Sequence, residues 1–213
     1  MDSAAITDHG VMYGVIDFYR AAKAAGINPV LGCEVYVAPN SRFDREIGKD
    51  EDRYYHLVLL AENNTGYSNL MKIVSKGFVE GFYYKPRVDM EVLNRYHEGI
   101  IALSACLAGE VQRYLARGMY EEACRAAKKY ETTFGKGNFF LELQDHGIPE
   151  QKNGEPAASS DEQGARHQSR GHQRRPLHLR RGCGGPRYSA LPPDWKKNFR
   201  MRTGCATRAA SIM

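Results

Sequence analysis

Apolar residues in the first 152 positions follow two spacings in turn. Short apolar runs predict β-strands, and apolar residues three or four positions apart predict helices. The predicted strands cover residues 4–7, 30–37, 54–60, 99–104 and 138–143. The predicted helices cover about residues 11–26, 65–78, 109–117 and 119–133, with Thr65 as an N-cap and Gly118 as a break. Because strands and helices alternate, the pattern favours a parallel α/β sheet or barrel.

This pattern stops near residue 152. Residues 153–213 contain only four Leu, Ile or Val residues, together with seven Gly and five Pro. They hold 12 Lys and Arg against 4 Asp and Glu, a net charge of +8, whereas residues 1–152 hold 18 against 21, a net charge of −3. So little apolar surface cannot offset the entropy lost on ordering a chain. The sequence therefore predicts one domain over residues 1–152 and a disordered basic tail over residues 153–213.

Two explanations of the tail follow from its composition. A net charge of +8 attracts phosphates, so the tail could be a nucleic-acid-binding arm. We favour a reading-frame shift after about codon 152. One permitted back-translation of residues 153–197, read one nucleotide later, gives a helix, a strand and the turn Asn-Asp-Val-His. The hypothesis fails if the source DNA, read in the +1 frame, gives no such product.

The remaining composition narrows the class of protein. No apolar run approaches the roughly 20 residues that a membrane-spanning helix needs, and the first ten residues lack the features of a secretory signal. The five cysteines are odd in number and form no Cys-x-x-Cys pair, which indicates reduced thiols. We therefore expect a cytoplasmic protein with no membrane partner.

Potential metal ligands occur at or near the ends of the predicted strands. Asp8 and His9 follow the first strand, Glu34 and His56 lie in the second and third, and Cys106 follows the fourth. In a parallel barrel, the C-terminal ends of the strands face a common mouth. Imidazole, carboxylate and thiolate groups bind zinc, and manganese prefers the harder donors. Two ions bridged by a carboxylate can activate water for phosphoester cleavage.

Each of these residues also has a purely structural interpretation. His56 in an apolar strand could be a packed core histidine, and Cys106 could be a small buried apolar residue. Asp8 could cap the helix that follows it. Glu34 is harder to explain in this way, because a buried carboxylate needs a partner. The residues alone leave both interpretations open.

Five segments together resemble one family. They are ITDHGVMYGVIDFYRAAKAAGINPVLGCEVYVAP, YYHLVLLAEN, GYSNLMKIVSKGFVEGFYYKPR, EGIIALSACLAGE and FFLELQDHGIPEQ, and they are similar to the PHP domain of the bacterial DNA polymerase III alpha subunit. The resemblance implies an α/β fold of the PHP type, a distorted (β/α)7 barrel whose mouth binds up to three zinc or manganese ions. In some members the domain is a metal-dependent 3′–5′ exonuclease. In others it supports the polymerase or binds the proofreading subunit.

The resemblance also implies roles for individual residues. Glu34 matches a carboxylate that bridges two ions, and His56 and Cys106 would complete the shell of one of them. His9 would bind a different ion. Three further residues are expected to lie near the mouth and to orient ligands by hydrogen bonds, namely Asp8, Glu142 and His146; an ordinary polar loop is the alternative for the last two.

Two motifs of that family are missing from this sequence. It contains no His-x-His, with which the family opens, and the closing Asn-Asp-x-His occurs only in the shifted frame, beneath residues 173–178. We therefore expect an incomplete PHP domain with at most one well-formed metal site. The chain would be a fragment of a DNA-directed DNA polymerase (a nucleotidyltransferase of DNA replication), without polymerase activity and with little or no nuclease activity of its own.

Expected partners are DNA and the other polymerase III subunits, including the proofreading subunit. Lys85 and Arg87, beside Tyr83 and Tyr84, could contact a phosphate backbone and stack a base. Tyrosines packed in a solvated loop are the alternative, and the charged loop over residues 41–53 is expected to be solvated as well. Two other functions stay open: a stand-alone PHP phosphoesterase of the histidinol-phosphatase type, and a non-enzymatic scaffold that binds the proofreading subunit.

Overall fold

The computed structural model of the chain describes residues 2–46, 52–142 and 144. The predicted tail, the predicted domain end at residue 152 and His146 lie outside the described residues. The described chain forms seven strands, namely β1 (Ser3–Ile6), β2 (Asn28–Val37), β3 (Tyr55–Ala61), β4 (Phe82–Tyr83), β5 (Lys85–Val88), β6 (Ile100–Leu103) and β7 (Phe139–Phe140). It forms five helices, namely α1 (Val15–Ala24), α2 (Asn64–Val79), α3 (Met90–Arg95), α4 (Glu110–Ala116) and α5 (Tyr120–Phe134).

The strands form one mixed sheet, so the expectation of a parallel sheet is wrong. Six strands follow the order β4-β5-β2-β3-β6-β7, and β1 pairs with β2 off this path. The pairs β1–β2, β2–β5 and β6–β7 are parallel, whereas β3 runs antiparallel to both β2 and β6. The reversal of β3 is decisive for the site, because its first residues lie beside the C-terminal ends of β2 and β6.

The first half of β2 pairs with β1 and its second half pairs with β5, along the same edge. His9 bridges to Glu34 on this edge, while Val58 of β3 lies opposite Glu34 on the other edge. Further along, Tyr36 of β2 pairs with Arg87 of β5. The chain that leaves β1 at residue 7 therefore passes between β1 and β5, close to the middle of β2.

Helices α2 to α5 pack on one face of the sheet and build the main core there. Alternate residues of β2 and β3 point into this core, which also contains side chains of α2, α3, α4 and α5. The opposite face carries a second, smaller cluster formed by Val58, Leu60, Ile101, Leu103 and Ala105. Because strand side chains alternate between faces, the neighbours Cys33 and Glu34 lie on opposite sides. No helix in the described part of the chain is long and apolar enough to cross a membrane.

Most predicted elements are present, with two changes at helix α2 and strand β7. The N-cap of α2 is Asn63, whose side chain accepts a hydrogen bond from the Gly66 backbone N–H at 2.9 Å, so the assignment of Thr65 as the cap is wrong. Asn is at least as favourable as Thr at the N-cap position. Strand β7 contains only two residues of the predicted 138–143.

Three short elements were not predicted: β4, β5 and α3. Strands β4 and β5 form a hairpin in which Tyr83 pairs with Lys85, and Tyr84 between them has a φ of 60°. Helix α3 begins at the N-cap Asp89, whose carboxylate accepts from the Val92 N–H. Strand β5 (Lys-Pro-Arg-Val) lacks an apolar run and α3 covers only six residues, so neither gives a clear apolar pattern.

One residue in the described part of the loop after β2, Arg42, is not solvated as predicted. Arg42 is 7% exposed, and its guanidinium pairs with Asp89, Glu80 and Glu91. Although burial opposes the charge, the hydrogen bonds to these carboxylates raise the pKa of Arg42. The loop is therefore fastened to α2 and α3 through one buried cation.

Candidate metal centre

Glu34 and His56 meet on the face of the sheet opposite the helices. Tyr36 lies directly across from His56 in the β2–β3 register, and Glu34 lies across from Val58. Glu34 and His56 are thus diagonal neighbours on one face, which long side chains can bridge. The His56 Nδ1 atom lies 2.6 Å from the Glu34 Oε1 atom. The side chains are 17% and 14% exposed, respectively.

His9 approaches the same carboxylate from the neighbouring chain segment. The Glu34 N–H donates to the Asp8 carbonyl at 3.0 Å, and the Gly10 N–H donates to the Glu34 carbonyl at 2.9 Å. This pairing fixes the backbone of His9 beside Glu34, and its Nδ1 atom lies 3.5 Å from Glu34 Oε1. His9 was predicted to belong to a different ion, but here one carboxylate oxygen lies near both imidazoles.

Cys106 reaches His56 through a turn after β6. Ala105 has a φ of 61°, a conformation that costs a non-glycine residue roughly 1–2 kcal/mol. Beyond this turn, the Ala108 carbonyl accepts from the His56 N–H at 3.1 Å. The Cys106 Sγ atom lies 3.5 Å from His56 Nδ1. Strained backbone beside polar side chains is common at functional sites, where the surrounding structure maintains it.

The three side chains His9, Glu34 and His56 can hold a cation. Their ligand atoms all lie within 4.8 Å of one another. Glu34 Oε1 is buried, yet within the described residues it has no hydrogen bond of good geometry despite its closeness to His56. The group combines imidazole nitrogens with a buried carboxylate oxygen whose hydrogen bonding is unsatisfied. Nitrogen and oxygen atoms of these kinds are ligands of zinc and manganese.

The spacing of the donor atoms also fits a shared ion, with one adjustment. Ligand atoms bound to one tetrahedral zinc ion stand about 3.4 Å apart. The 3.5 Å separations of His9 from Glu34 and of Cys106 from His56 are close to that value. The 2.6 Å separation of His56 from Glu34 is shorter, so an ion shared by these two would require them to move apart.

The same neighbours control the protonation of His56. Burial by itself lowers the pKa of this imidazole, but the Cys106 thiol and the Glu34 carboxylate beside it outweigh burial and raise the pKa to about 9. At neutral pH the imidazole therefore carries a proton, which a metal ion must displace on binding.

Asp8 acts on this site through its backbone. Its carbonyl accepts from the Glu34 N–H and from the Cys33 thiol, the latter at 3.3 Å. The N-cap of α1 is Gly14, and no side-chain cap bond is formed there, so the alternative of a helix-capping Asp8 is wrong. A role of the Asp8 carboxylate in orienting a ligand stays a prediction.

Glu142 lies behind Cys106. Its backbone N–H donates to Ser104 Oγ at 2.9 Å, and its Oε1 atom accepts from Gln144 at 2.8 Å. Ser104 also accepts from the Gln112 side chain. The segment after β7 is thus tied to the turn that presents Cys106, and a direct role of the Glu142 carboxylate stays a prediction.

The structure separates the two predicted nucleic-acid contacts. Arg87 is 1% exposed, and its guanidinium donates to the carbonyls of Asp44, Arg42 and Gly81. A side chain enclosed in this way cannot reach a phosphate, so its assignment as a nucleic-acid contact is wrong. The dipoles of these backbone carbonyls, rather than a phosphate, compensate the charge of the Arg87 guanidinium. Lys85 is exposed, and its assignment stays a prediction.

Sequence reasoning overlooked the aromatic residues around His56. The Tyr36 ring centre lies 5.2 Å from that of His56, and the Tyr54 ring stacks on His56 at 5.9 Å with an interplanar angle of 11°. Tyr36 is two residues from Glu34, and Tyr54 is two residues from His56. The two-residue period of a strand was therefore the available signal, since it places each tyrosine on the face of a ligand.

Comparison with known proteins supports one family. The model of the PHP domain matches residues 1–146. The DNA polymerase III subunit alpha of Treponema pallidum (strain Nichols) is 51% identical over 151 residues, which cover 71% of this chain and 13% of that protein. The proteins of the same name from Thermus aquaticus and Deinococcus radiodurans are 46% and 45% identical, over 70% and 71% of this chain and 12% of each relative.

This chain spans 12–13% of the length of these curated relatives. The family match, in contrast, covers well over half of the chain and contains all of the described residues from 2 to 144. The mixed α/β fold and the His9–Glu34–His56 group agree with such a domain. The chain therefore belongs to the PHP domain family, whose members are metal-dependent.

Proposed function

We propose that this chain is part of the PHP domain of a replicative DNA polymerase III alpha subunit and binds zinc or manganese. Glu34, His56 and Cys106 would hold one ion, and His9 lies close to the same Glu34 oxygen as His56. The observation that carries the proposal is the convergence of two imidazole nitrogens on one buried carboxylate oxygen. The relatives named DNA polymerase III subunit alpha support the assignment to the polymerase. The polymerase to which the chain belongs would then act in DNA replication in the cytoplasm.

Each ligand would have a distinct part in holding the ion. The Glu34 carboxylate supplies a negative charge from the middle of β2, where its backbone pairs with His9 on one edge and with Val58 of β3 on the other. His56 contributes a neutral nitrogen only after losing its proton, and Cys106 contributes a thiolate. When bound, the ion would activate water and stabilise charge in phosphoester cleavage. The tyrosines beside His56 would limit the access of bulk water to this face.

We expect the chain itself to have little or no nuclease activity. The sequence contains neither His-x-His nor Asn-Asp-x-His, so ligands for further ions are missing. Two-metal phosphoester cleavage needs both ions about 3.5–4 Å apart. We also expect no incorporation of nucleotides on a primed template, and DNA and other polymerase III subunits would be partners of the larger protein.

Cobalt binding provides the test of the metal centre. Added to the metal-free chain under reducing conditions, Co²⁺ should give the charge-transfer absorption of a thiolate ligand. Cys106→Ser should abolish this band, and His56→Gln should weaken binding of the ion. The matched controls are Cys124→Ser and His97→Gln, since Cys124 is a partly buried thiol on α5 and His97 contacts the Asn94 carbonyl instead. A band that survives Cys106→Ser but not Cys124→Ser would contradict the proposal.

Activity assays separate this proposal from the two alternatives. Manganese-dependent release of phosphate from small esters, abolished by Glu34→Gln, would favour a stand-alone phosphoesterase. Capture of a proofreading subunit that persists in a chelator would favour a non-enzymatic scaffold. Metal binding without either result is the outcome that we expect from an incomplete domain.

A further inference from the structure

A turn between β6 and α4 carries Cys106. It comprises residues 104–109, since β6 ends at Leu103 and α4 begins at Glu110, and we call it the cysteine turn. Cys106 therefore lies outside the strands and helices, and no regular element of its own fixes the position of its thiol. The contacts of the turn must fix it instead.

The C-terminal end of the cysteine turn is tied to the strand that carries His56. The Ala108 carbonyl accepts from the His56 N–H at 3.1 Å, and Gly109 forms an isolated parallel bridge with His56. The turn also closes on itself, because the Gly109 N–H donates to the Cys106 carbonyl at 2.8 Å. This end of the turn is therefore fixed relative to the backbone of a candidate ligand.

Ser104 ties the other end of the cysteine turn to two further segments. It is 3% exposed, and its N–H donates to the Phe140 carbonyl of β7 at 3.0 Å. Its hydroxyl oxygen accepts from the Glu142 backbone N–H at 2.9 Å and from the Gln112 amide of α4 at 2.5 Å. A single buried hydroxyl group thus connects the turn with the chain after β7 and with the first turn of α4.

The residue after Ser104 has a strained backbone that these contacts hold in place. Ala105 has a φ of 61°, a left-handed conformation that residues other than Gly seldom adopt. Such a conformation persists only where the surrounding structure fixes it. The closure of the turn is tight, since a Cβ added at Gly109 would lie 2.1 Å from the Ser104 carbonyl oxygen. The direction of the Cys106 side chain depends on the Ala105 conformation, because Cys106 is the next residue.

Gln112 has a buried atom that its surroundings do not satisfy. Its Oε1 atom is buried and, within the described residues, has no hydrogen-bond partner. Leaving a buried polar atom unsatisfied destabilises the folded state, whereas a Met side chain of similar length would avoid that cost. The amide nitrogen, in contrast, donates to Ser104. Stability therefore does not account for a glutamine at this position, and the contact to the cysteine turn does.

We propose that Ser104 and Gln112 are positioning residues that hold the cysteine turn so that the Cys106 sulfur faces His56. The Cys106 Sγ atom lies 3.5 Å from His56 Nδ1, a separation that two ligands of one ion can have. Residues that orient a metal ligand keep it in its bound position before the ion arrives. The inference rests on the proposed function, because the sulfur is positioned for the ion of that centre.

The test compares cobalt binding and stability in variants of the full chain under reducing conditions. Gln112→Met is the diagnostic variant, because it removes the contact to Ser104 together with the unsatisfied oxygen. It should leave the thermal midpoint equal or higher, yet weaken the thiolate-to-cobalt charge-transfer band and reduce the affinity for Co²⁺ by about tenfold. A residue with only a structural role would not move stability and metal binding in opposite directions.

Ser104→Ala removes the contacts to both neighbouring segments and should weaken the band at least as much. Its matched control is Thr133→Val, since Thr133 on α5 is also buried and its hydroxyl donates to Asn94 Oδ1 at 2.7 Å. Both substitutions remove one buried hydroxyl group and should lower the thermal midpoint, but only Ser104→Ala should alter the cobalt band. In a chelator, iodoacetamide should also modify Cys106 faster in Ser104→Ala than in Thr133→Val, because a released turn exposes the thiol.

An unchanged band and unchanged cobalt affinity in both Gln112→Met and Ser104→Ala would overturn the inference and leave the proposed metal centre standing. Equal losses of the band in Ser104→Ala and Thr133→Val would also overturn it, since the effect would then come from stability alone. A wild-type chain without a thiolate band would instead contradict the proposed function. The alkylation rates, which need no metal, would then decide alone whether Ser104 positions the thiol.

Discussion

At the scale of single residues, neighbours in one strand have opposite environments. Cys33 points into the core and is fully buried, whereas Glu34 points to the other face. Burial, together with the charges of Asp8 and Glu34, raises the pKa of the Cys33 thiol to about 12. Because only the thiolate is reactive, sequence proximity to a metal ligand gives Cys33 no reactivity.

We predict that iodoacetamide at about pH 8 modifies Cys106 in the metal-free native chain and leaves Cys33 unmodified. Cys33 combines complete burial with a thiol that stays protonated at that pH. Mass spectrometry of the digested protein gives the extent of labelling at each cysteine. Labelling in urea is the control, since both thiols should then react. Equal rates for the two thiols in the native chain would contradict the burial of Cys33.

Gly10 lies between the candidate ligand His9 and the Tyr36 ring that packs on His56. Its φ is 71°, and a Cβ added there would lie 2.8 Å from the Tyr36 ring and 2.9 Å from Pro86. A side chain at position 10 must therefore shift either the backbone next to His9 or the Tyr36 ring that packs on His56. Gly118 has a similar φ of 73° with nothing within 4 Å of an added Cβ, so it isolates the backbone effect.

We predict that Gly118→Ala costs about 1 kcal/mol of unfolding free energy, the cost of the left-handed conformation. Gly10→Ala should cost about 1–3 kcal/mol more, because overpacking adds to that cost. It should also weaken the cobalt band, whereas Gly118→Ala should not. Urea unfolding and cobalt titration of the two variants give both quantities. Equal losses of stability with unchanged cobalt binding would mean that the Gly10 site can relax around a methyl group.

At the scale of elements, the buried ion pairs of Arg42 fix the loop after β2 to two helices. Asp89 accepts from the Arg42 backbone N–H at 2.9 Å and from its guanidinium at 2.9 Å, and it also caps α3. Removing the guanidinium would leave a buried carboxylate without its cation. That cost is much larger than the net benefit of forming the pair.

We predict that Arg42→Leu lowers the unfolding free energy by about 3–5 kcal/mol. Arg125→Leu is the control, because Arg125 forms an exposed pair with Glu122, three residues before it on α5, and it should change stability by less than about 1 kcal/mol. Urea unfolding followed by circular dichroism measures both. Equal small effects would show that water reaches Asp89 when Arg42 is removed.

The elements that sequence reasoning found are those with a complete apolar period. Strand β6 is buried at all four positions and α5 places Ala123, Ala127 and Tyr130 on one face. The hairpin β4–β5 and helix α3 depend instead on contacts distant in sequence. Arg87, for example, donates to the Asp44 and Arg42 carbonyls, which are 43 and 45 positions away in sequence. Such contacts leave no local pattern to detect.

The candidate site was foreseeable in its residues but not in its geometry. Glu34, His56 and Cys106 have side chains that bind metals, and they occur at or near the ends of predicted strands, so the sequence indicated a metal site. His56, however, lies near the N-terminal end of β3, which in a parallel sheet would be away from the mouth, and only the reversal of β3 brings it to Glu34. Strand direction depends on how helices pack on the sheet, and a single sequence does not specify it.

At the scale of the whole molecule, one carboxylate ties the segment before β3 to helix α4. Asp52 accepts from Arg113 and from Arg117, the latter at 3.0 Å, across more than 60 positions of sequence. Burial alone would raise the pKa of Asp52, but the hydrogen bond from Arg117 and the charges of both arginines outweigh it and lower that pKa. The ionised form is therefore favoured in the folded protein.

This shift determines how the ion pairs contribute to stability as the pH changes. A folded-state pKa below the unfolded value of about 3.9 means that folding favours the ionised carboxylate. The stabilisation is fully present above about pH 5 and is lost as the pH falls through the folded-state pKa. Since the arginines are partly exposed, we expect about 1 kcal/mol at neutral pH.

We therefore predict that Asp52→Asn lowers the unfolding free energy by about 1 kcal/mol at pH 7 and that the difference from wild type shrinks as the pH falls below about 4. Both chains are compared by urea unfolding in a chelator, so that protonation of the metal ligands does not enter as a loss of bound ion. Glu122→Gln controls for removal of a carboxylate from an exposed pair. A difference that persists undiminished at acid pH would show that Asp52 acts through packing rather than through its charge.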